Sequence, residues 1–256
     1  MSFVPFDQST LTVSNDADIT NVPFVDWDTF IKREFVWRQG EHIGLIGPTN
    51  CGKTTLAEAI LPIRKYIVVL ATKPRDKSLD RFGKANGFEK INEWKTVSPN
   101  RMPRRLLWPY AKDLNSVNIQ HKVFANALVQ IYREGGWCVY MDELWFMIHH
   151  LKFEFAIKTY LQQARSLDIS LVVATQRPAF VPLEVYDQST HLFFWRDNDE
   201  RNLKRISGIS WLSANLVRYV VARLELHEFL YVNTRDGLLI RSKSPTPKFV
   251  PIRKRG

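Results

Sequence analysis

At 256 residues, 45% of them hydrophobic and 12% aromatic, the chain can form one sizeable core, which excludes a globally disordered polypeptide. Lys and Arg outnumber Asp and Glu 36 to 26, giving a net charge of +10 and pointing to a polyanionic partner, nucleic acid before anionic membrane. No run approaches the roughly 20 apolar residues of a membrane span, so membrane insertion is not expected; two cysteines, Cys51 and Cys138, are too few for a disulfide framework or a structural zinc site and favour a cytoplasmic setting.

In chain order, residues 1–38 read as an N-terminal arm and lead-in. The first 25 are polar and aperiodic, without the basic-then-apolar order of a signal peptide. Trp27, Phe30, Phe35 and Trp37 then suggest a lid or edge strand. Ile43-Gly44-Leu45-Ile46 reads as a short buried strand. Gly47-Pro48-Thr49-Asn50-Cys51-Gly52-Lys53-Thr54 follows and matches G-x-x-x-x-G-K-[ST] at every fixed position. Residues 55–61 are helix formers. Loop amides and a helix N-terminus together suit a polyphosphate.

Tyr66-Ile67-Val68-Val69-Leu70-Ala71 is a continuous apolar run of the kind covered on both faces of a sheet. Residues 75–118 read as a basic, irregular insertion broken by Gly and Pro. Lys73, Arg75, Arg101, Arg104 and Arg105, interleaved with Trp94, Trp108 and Tyr110, are candidate nucleic-acid contacts. The same pattern equally suits a solvated insertion whose aromatics pack on the core. A helix is expected over 119–133. Trp137-Cys138-Val139-Tyr140-Met141 reads as a strand ending in Asp142-Glu143, and residues 144–167 as a helix broken near His149-His150. Ile169-Ser170-Leu171-Val172-Val173-Ala174 is a further strand, ending in Thr175-Gln176-Arg177-Pro178. Another, His191-Leu192-Phe193-Phe194-Trp195, ends in Arg196. Helices are expected over 199–206 and 213–224 with Gly208 between them. A β-hairpin follows around Thr234-Arg235-Asp236-Gly237, and residues 242–256 read as a basic tail.

Strands alternating with helices argue for an α/β fold with a mainly parallel sheet, helices on both faces and a C-terminal β-hairpin. Ligands in such sheets bind at the carboxyl ends of the strands, where Asp142-Glu143, Thr175-Gln176 and Arg196 all fall. Lys53 suits the β- and γ-phosphates of a nucleoside triphosphate, the Thr54 hydroxyl and Asp142 suit Mg²⁺, and Thr55 the α-phosphate. Glu143 stands where a base would orient or deprotonate the attacking water; Gln176 is placed to sense the γ-phosphate. A guanine-specific switch would want Asp at position 75, which is Arg.

The phosphate loop, the Asp142-Glu143 strand end and the Ala174-Thr175-Gln176-Arg177-Pro178 string resemble the FtsK–HerA superfamily over roughly residues 40–210. The resemblance implies a RecA-like ATPase domain, here residues 39–241. It also implies a homo-oligomeric ring, pentamer or hexamer, in which a neighbour's arginine reaches the γ-phosphate: Arg165 first, with Arg196 and Arg201 in reserve. The family's members pump DNA. A chain this short is most similar to viral genome-packaging ATPases that dock on a portal or capsid vertex in the host cytoplasm. A plasmid or conjugative DNA pump, and a nucleotide-gated assembly protein, are the competing expectations.

Overall fold

The computed structural model describes residues 22–110, 115–206 and 214–245. Its nine strands are β1 His42–Ile46, β2 Ile67–Leu70, β3 Glu89–Ile91, β4 Arg104–Leu107, β5 Cys138–Met141, β6 Ser170–Thr175, β7 Ser189–Trp195, β8 Glu228–Asn233 and β9 Leu238–Lys243. They form one sheet in the order β3-β4-β2-β5-β6-β1-β7-β8-β9. The first seven in that order pair in parallel, and β7-β8-β9 pair antiparallel, so the expected hairpin closes one edge.

The helices are α1 Trp27–Thr29, α2 Lys53–Ile60, α3 Lys77–Ala85, α4 Ser116–Glu134, α5 Leu144–His149, α6 Glu154–Gln163, α7 Glu184–Asp187, α8 Glu200–Ile206 and α9 Ala214–Arg223. They divide between the two sheet faces. In β2, Val68 and Leu70 join a core with Phe124 and Ile131 of α4, Leu161 of α6 and Val217 of α9. Ile67 and Val69 face the other way, onto Leu56 and Ile60 of α2 and Phe82 of α3. β5 and β6 divide in the same way. A strand with both faces covered needs apolar side chains at every position, hence the uninterrupted runs.

Two expectations change. The aromatics after residue 25 form no edge strand. Asp26 caps α1 by accepting from the Thr29 amide at 3.0 Å, and the chain continues as a π-helix, Phe30–Glu34. Phe30 is fully buried, edge-on to Phe193, Phe229 and Tyr231. The segment therefore covers the sheet face beside the hairpin. Residues 75–110 are also more regular than their composition suggests. Asp76 caps α3 through the amides of Ser78 and Leu79, and β3 and β4 extend the parallel sheet. Trp94 and Trp108 lie in the core, so the packing alternative is the one found for those aromatics. Gly208 and residues 1–21 and 246–256, with most of the basic tail, lie outside the described residues.

Candidate nucleotide site

The site grows out of the carboxyl ends of β1, β5 and β6. The β6 strand lies between the other two, in register Ile46↔Thr175 and Met141↔Val173. This order sets the phosphate loop on one side of Gln176 and the Asp142-Glu143 pair on the other. The loop is tied to its neighbours from the start, since the Gly47 amide donates to the Thr175 carbonyl at 3.2 Å. Glycine is required at both ends of the loop. A Cβ at Gly47 would stand 2.8 Å from the Cβ of Trp195, and one at Gly52 would stand 2.6 Å from Ser244 Oγ at a φ of +115°.

The residues around the loop form a cleft of about 390 Å³, lined among others by Asn50, Thr54, Lys73, Asp142, Gln176 and His227. Lys53 is buried and its ammonium donates to the carbonyls of Gly47, at 2.7 Å, and Pro48. Burial pulls its pKa down, against Cys51, Asp142 and Glu143, which favour the charged form. Thr55 lines the cleft one position beyond Thr54.

Asp142 accepts from three side chains. Its Oδ1 accepts from Tyr140 at 2.7 Å and from Thr54 at 3.3 Å, and its Oδ2 accepts from Lys73 at 2.8 Å. Burial pushes its carboxyl up, but Lys73 and the two hydroxyls outweigh it and hold the pKa below the usual carboxylate range. A cation is therefore already seated against Asp142, and the hydroxyl and carboxylate oxygens suit a hard divalent ion. Among the described residues no cluster of three or more His, Cys, Asp or Glu could hold a metal. Mg²⁺ would need only one or two protein oxygens beside substrate phosphates.

Glu143 behaves differently. Burial and the adjacent Asp142 push its carboxyl above the ordinary value, as suits a proton acceptor. Gln176 joins it to the loop, accepting from Thr49 Oγ1 at 2.7 Å and donating to Glu143 Oε2 at 3.1 Å. The three motifs thus meet in one hydrogen-bonded line. Tyr140 and Lys73 were not assigned to this site from the sequence. Tyr140 was readable in principle, because on a strand it shares a face with Asp142 two positions on.

Arg165 stands apart. It follows α6 and precedes β6, and its guanidinium donates to Thr190 Oγ1 near the start of β7. A six-residue strand is about 20 Å long, so Arg165 and the phosphate loop lie at opposite ends of the sheet. Arg196, exposed, follows β7 at the loop's end of the sheet, and Arg201 is exposed in α8.

The candidate nucleic-acid contacts separate. Arg75 and Arg101 are exposed. Arg104 is half-buried, donating to the carbonyl of Asn86 at 2.9 Å and to that of Pro62. Lys73 belongs to the nucleotide cleft. Arg105 must be withdrawn as a contact. It is fully buried, donates to the carbonyls of Met102, Lys95 and Val97, and lies between Trp94 and Trp137. Its charge is satisfied inside the protein.

No protein-family model and no curated protein sequence matches the chain. Solved structures do. B204, the DNA-packaging ATPase from Sulfolobus turreted icosahedral virus, aligns with a TM-score of 0.58 at 18% identity over 82% of this chain and all of that one. The fold is that of a P-loop NTPase. The genome-packaging NTPase B204 of Sulfolobus turreted icosahedral virus 2, in complex with ATP-gammaS, aligns with the same TM-score at 17% identity and the same coverage. The cytoplasmic domain of the Thermomonospora curvata type VII secretion ATPase EccC aligns at 0.54 and 14% identity over 81% of this chain, which spans 25% of that protein's. At these identities the likeness is one of fold.

Proposed function

We propose that the protein is an ATP-hydrolysing, DNA-translocating motor that packages a viral genome, working as a homo-oligomeric ring. The observation that carries the reading is the Thr49–Gln176–Glu143 line, which joins the phosphate loop to a carboxylate with a raised pKa. A protein that only binds nucleotide has no need of that second carboxylate beside Asp142.

In this reading the loop amides of residues 47–54 cradle the phosphates and Lys53 swings from its carbonyl partners to the β- and γ-phosphates. Thr54 and Asp142 would hold Mg²⁺, with Lys73 yielding its place on Asp142. The ion held there would supply charge neutralisation at the phosphates. Glu143 accepts a proton from the water as its oxygen attacks the γ-phosphorus, while the bond to the β,γ-bridging oxygen breaks and ADP leaves. Gln176 loses its γ-phosphate contact at that moment, and through Thr49 and Glu143 the change reaches both loop and base. Arg165, too far from its own subunit's loop, would serve a neighbour's phosphates. The DNA partner is supported by the net charge of +10, by exposed Arg75 and Arg101, and by the DNA-packaging role carried in the name of a protein with the same fold.

The test is ATP hydrolysis by the full chain with and without double-stranded DNA. The expected result is stimulation of severalfold that is lost in Glu143→Gln. Turnover indifferent to any nucleic acid would favour a nucleotide-gated assembly protein and overturn the motor reading.

A further inference from the structure

The site described so far accounts for the phosphates and leaves the nucleoside unplaced. Its direction follows from the sheet order. The strands β5 and β6, whose ends carry Asp142, Glu143 and Gln176, lie on one side of β1, and β7, β8 and β9 lie on the other. The γ-phosphate belongs beside Asp142 and Glu143. The α-phosphate therefore lies toward Thr55, and the sugar and base leave the loop on the β7–β9 side. On that side one ring stands among the residues lining the cleft, the imidazole of His227.

His227 sits in the connection between α9 and β8. Its φ of +64° is unusual for a residue with a side chain and marks a position held by its surroundings. The holding contacts are visible. The Cys51 carbonyl of the phosphate loop accepts from His227 Nδ1 at 3.2 Å. The carbonyl of His227 accepts from the Ser244 amide at 2.8 Å. Ser244 Oγ accepts from Trp195 Nε1 at 3.2 Å and packs where a side chain on Gly52 would be. The loop, the α9–β8 connection and the end of β9 are thus joined around one exposed ring at the mouth of the cleft.

We propose that His227 is the nucleoside-side wall of the site, its ring packing against the base or ribose of bound ATP and giving the protein its preference for a nucleotide over a bare polyphosphate. The inference rests on the nucleotide reading of the phosphate loop. A π-face accepts any base, and aromatic–base packing contributes enough to change affinity by several-fold or more.

The experiment measures binding of ATP and of inorganic tripolyphosphate to the full chain by titration calorimetry, for wild type, His227→Ala and His227→Phe, with melting curves to verify folding. The expected result is that His227→Ala weakens ATP binding about five- to tenfold and leaves tripolyphosphate unchanged. His227→Phe, which keeps a ring but not the bond to Cys51, should stay within about twofold of wild type for ATP. Equal weakening of both ligands in His227→Ala, or a Phe variant as poor as the Ala one, would reduce His227 to a prop for the Cys51 carbonyl and overturn the inference. Wild-type protein that binds neither ligand would instead overturn the nucleotide reading, and this inference with it.

Discussion

Lys73 and Asp142 face each other across the cleft, Nζ 2.8 Å from Oδ2. A lysine at the end of β2 thus occupies the carboxylate proposed to hold Mg²⁺. Removing the lysine removes a competitor for that carboxylate. Lys73 is about half exposed, 47% by side chain, so the pair contributes about 0.2–1 kcal/mol, and Lys73→Met is expected to lower the Mg²⁺ concentration for half-maximal hydrolysis by about 1.4- to fivefold. Titration of ATPase activity with Mg²⁺ measures it. Because Lys73 points into the cleft, the same variant should leave the salt dependence of DNA binding unchanged, whereas Arg75→Ala and Arg101→Ala should each reduce its slope.

Glu143→Gln is expected to cost about 10²–10⁴ in hydrolysis while leaving ATP binding intact, separable by single-turnover and equilibrium-binding measurements. The Thr49–Gln176 contact gives a sharper check. If the hydrogen-bonded line acts as one unit, Thr49→Val and Gln176→Ala will combine with less than additive losses in a double-mutant cycle on kcat/KM. Because the Glu143 pKa is raised, the wild-type rate should fall on acidification from a higher pH than an ordinary glutamate would give.

Glu58, one turn into α2, accepts from Ser78 Oγ at 3.4 Å. Burial, with Asp76 and Asp142 nearby, pushes its carboxyl up to about 7. An acid whose folded pKa is raised costs nothing below its unfolded value, and destabilises the fold increasingly as pH rises from about 4.5 to 7. Glu58→Gln should accordingly raise the melting temperature at pH 8 and leave it nearly unchanged at pH 4.5, in unfolding curves recorded at the two pH values.

How much of this was legible in the sequence depended on burial and on charge. Strands covered on both faces, β1, β2, β5 and β6, appear as unbroken apolar runs, and their carboxyl ends carry the motifs. β3 and β4 escaped notice because they are only three and four residues long and carry Glu89, Lys90, Arg104 and Arg105 near the sheet edge. Arg105 misleads for a further reason: arginine is almost never fully buried without partners, and here three turn carbonyls and two indoles supply them. The segment over the π-helix was expected to be a lid or edge strand because its aromatic residue types suit strands, whereas Phe30 instead packs edge-on against Phe193, Phe229 and Tyr231. His227 had no signal, since only the folded α9–β8 connection brings it to Cys51.

Arg105→Met tests that correction. It would strand three carbonyls at about 1–3 kcal/mol for each left without a partner, partly recovered by relaxation and by the apolar side chain. A loss of about 2–4 kcal/mol, or roughly 4–16 °C in melting temperature, is expected, with DNA affinity of the folded protein unchanged.

If ATP turnover moves the protein along DNA, it will displace a labelled third strand from a triplex-bearing duplex. Wild-type protein is expected to strip the third strand with ATP, Glu143→Gln to fail, and Arg165→Ala to fail while still binding nucleotide. Sustained ATP hydrolysis on the duplex with the third strand left in place would contradict translocation.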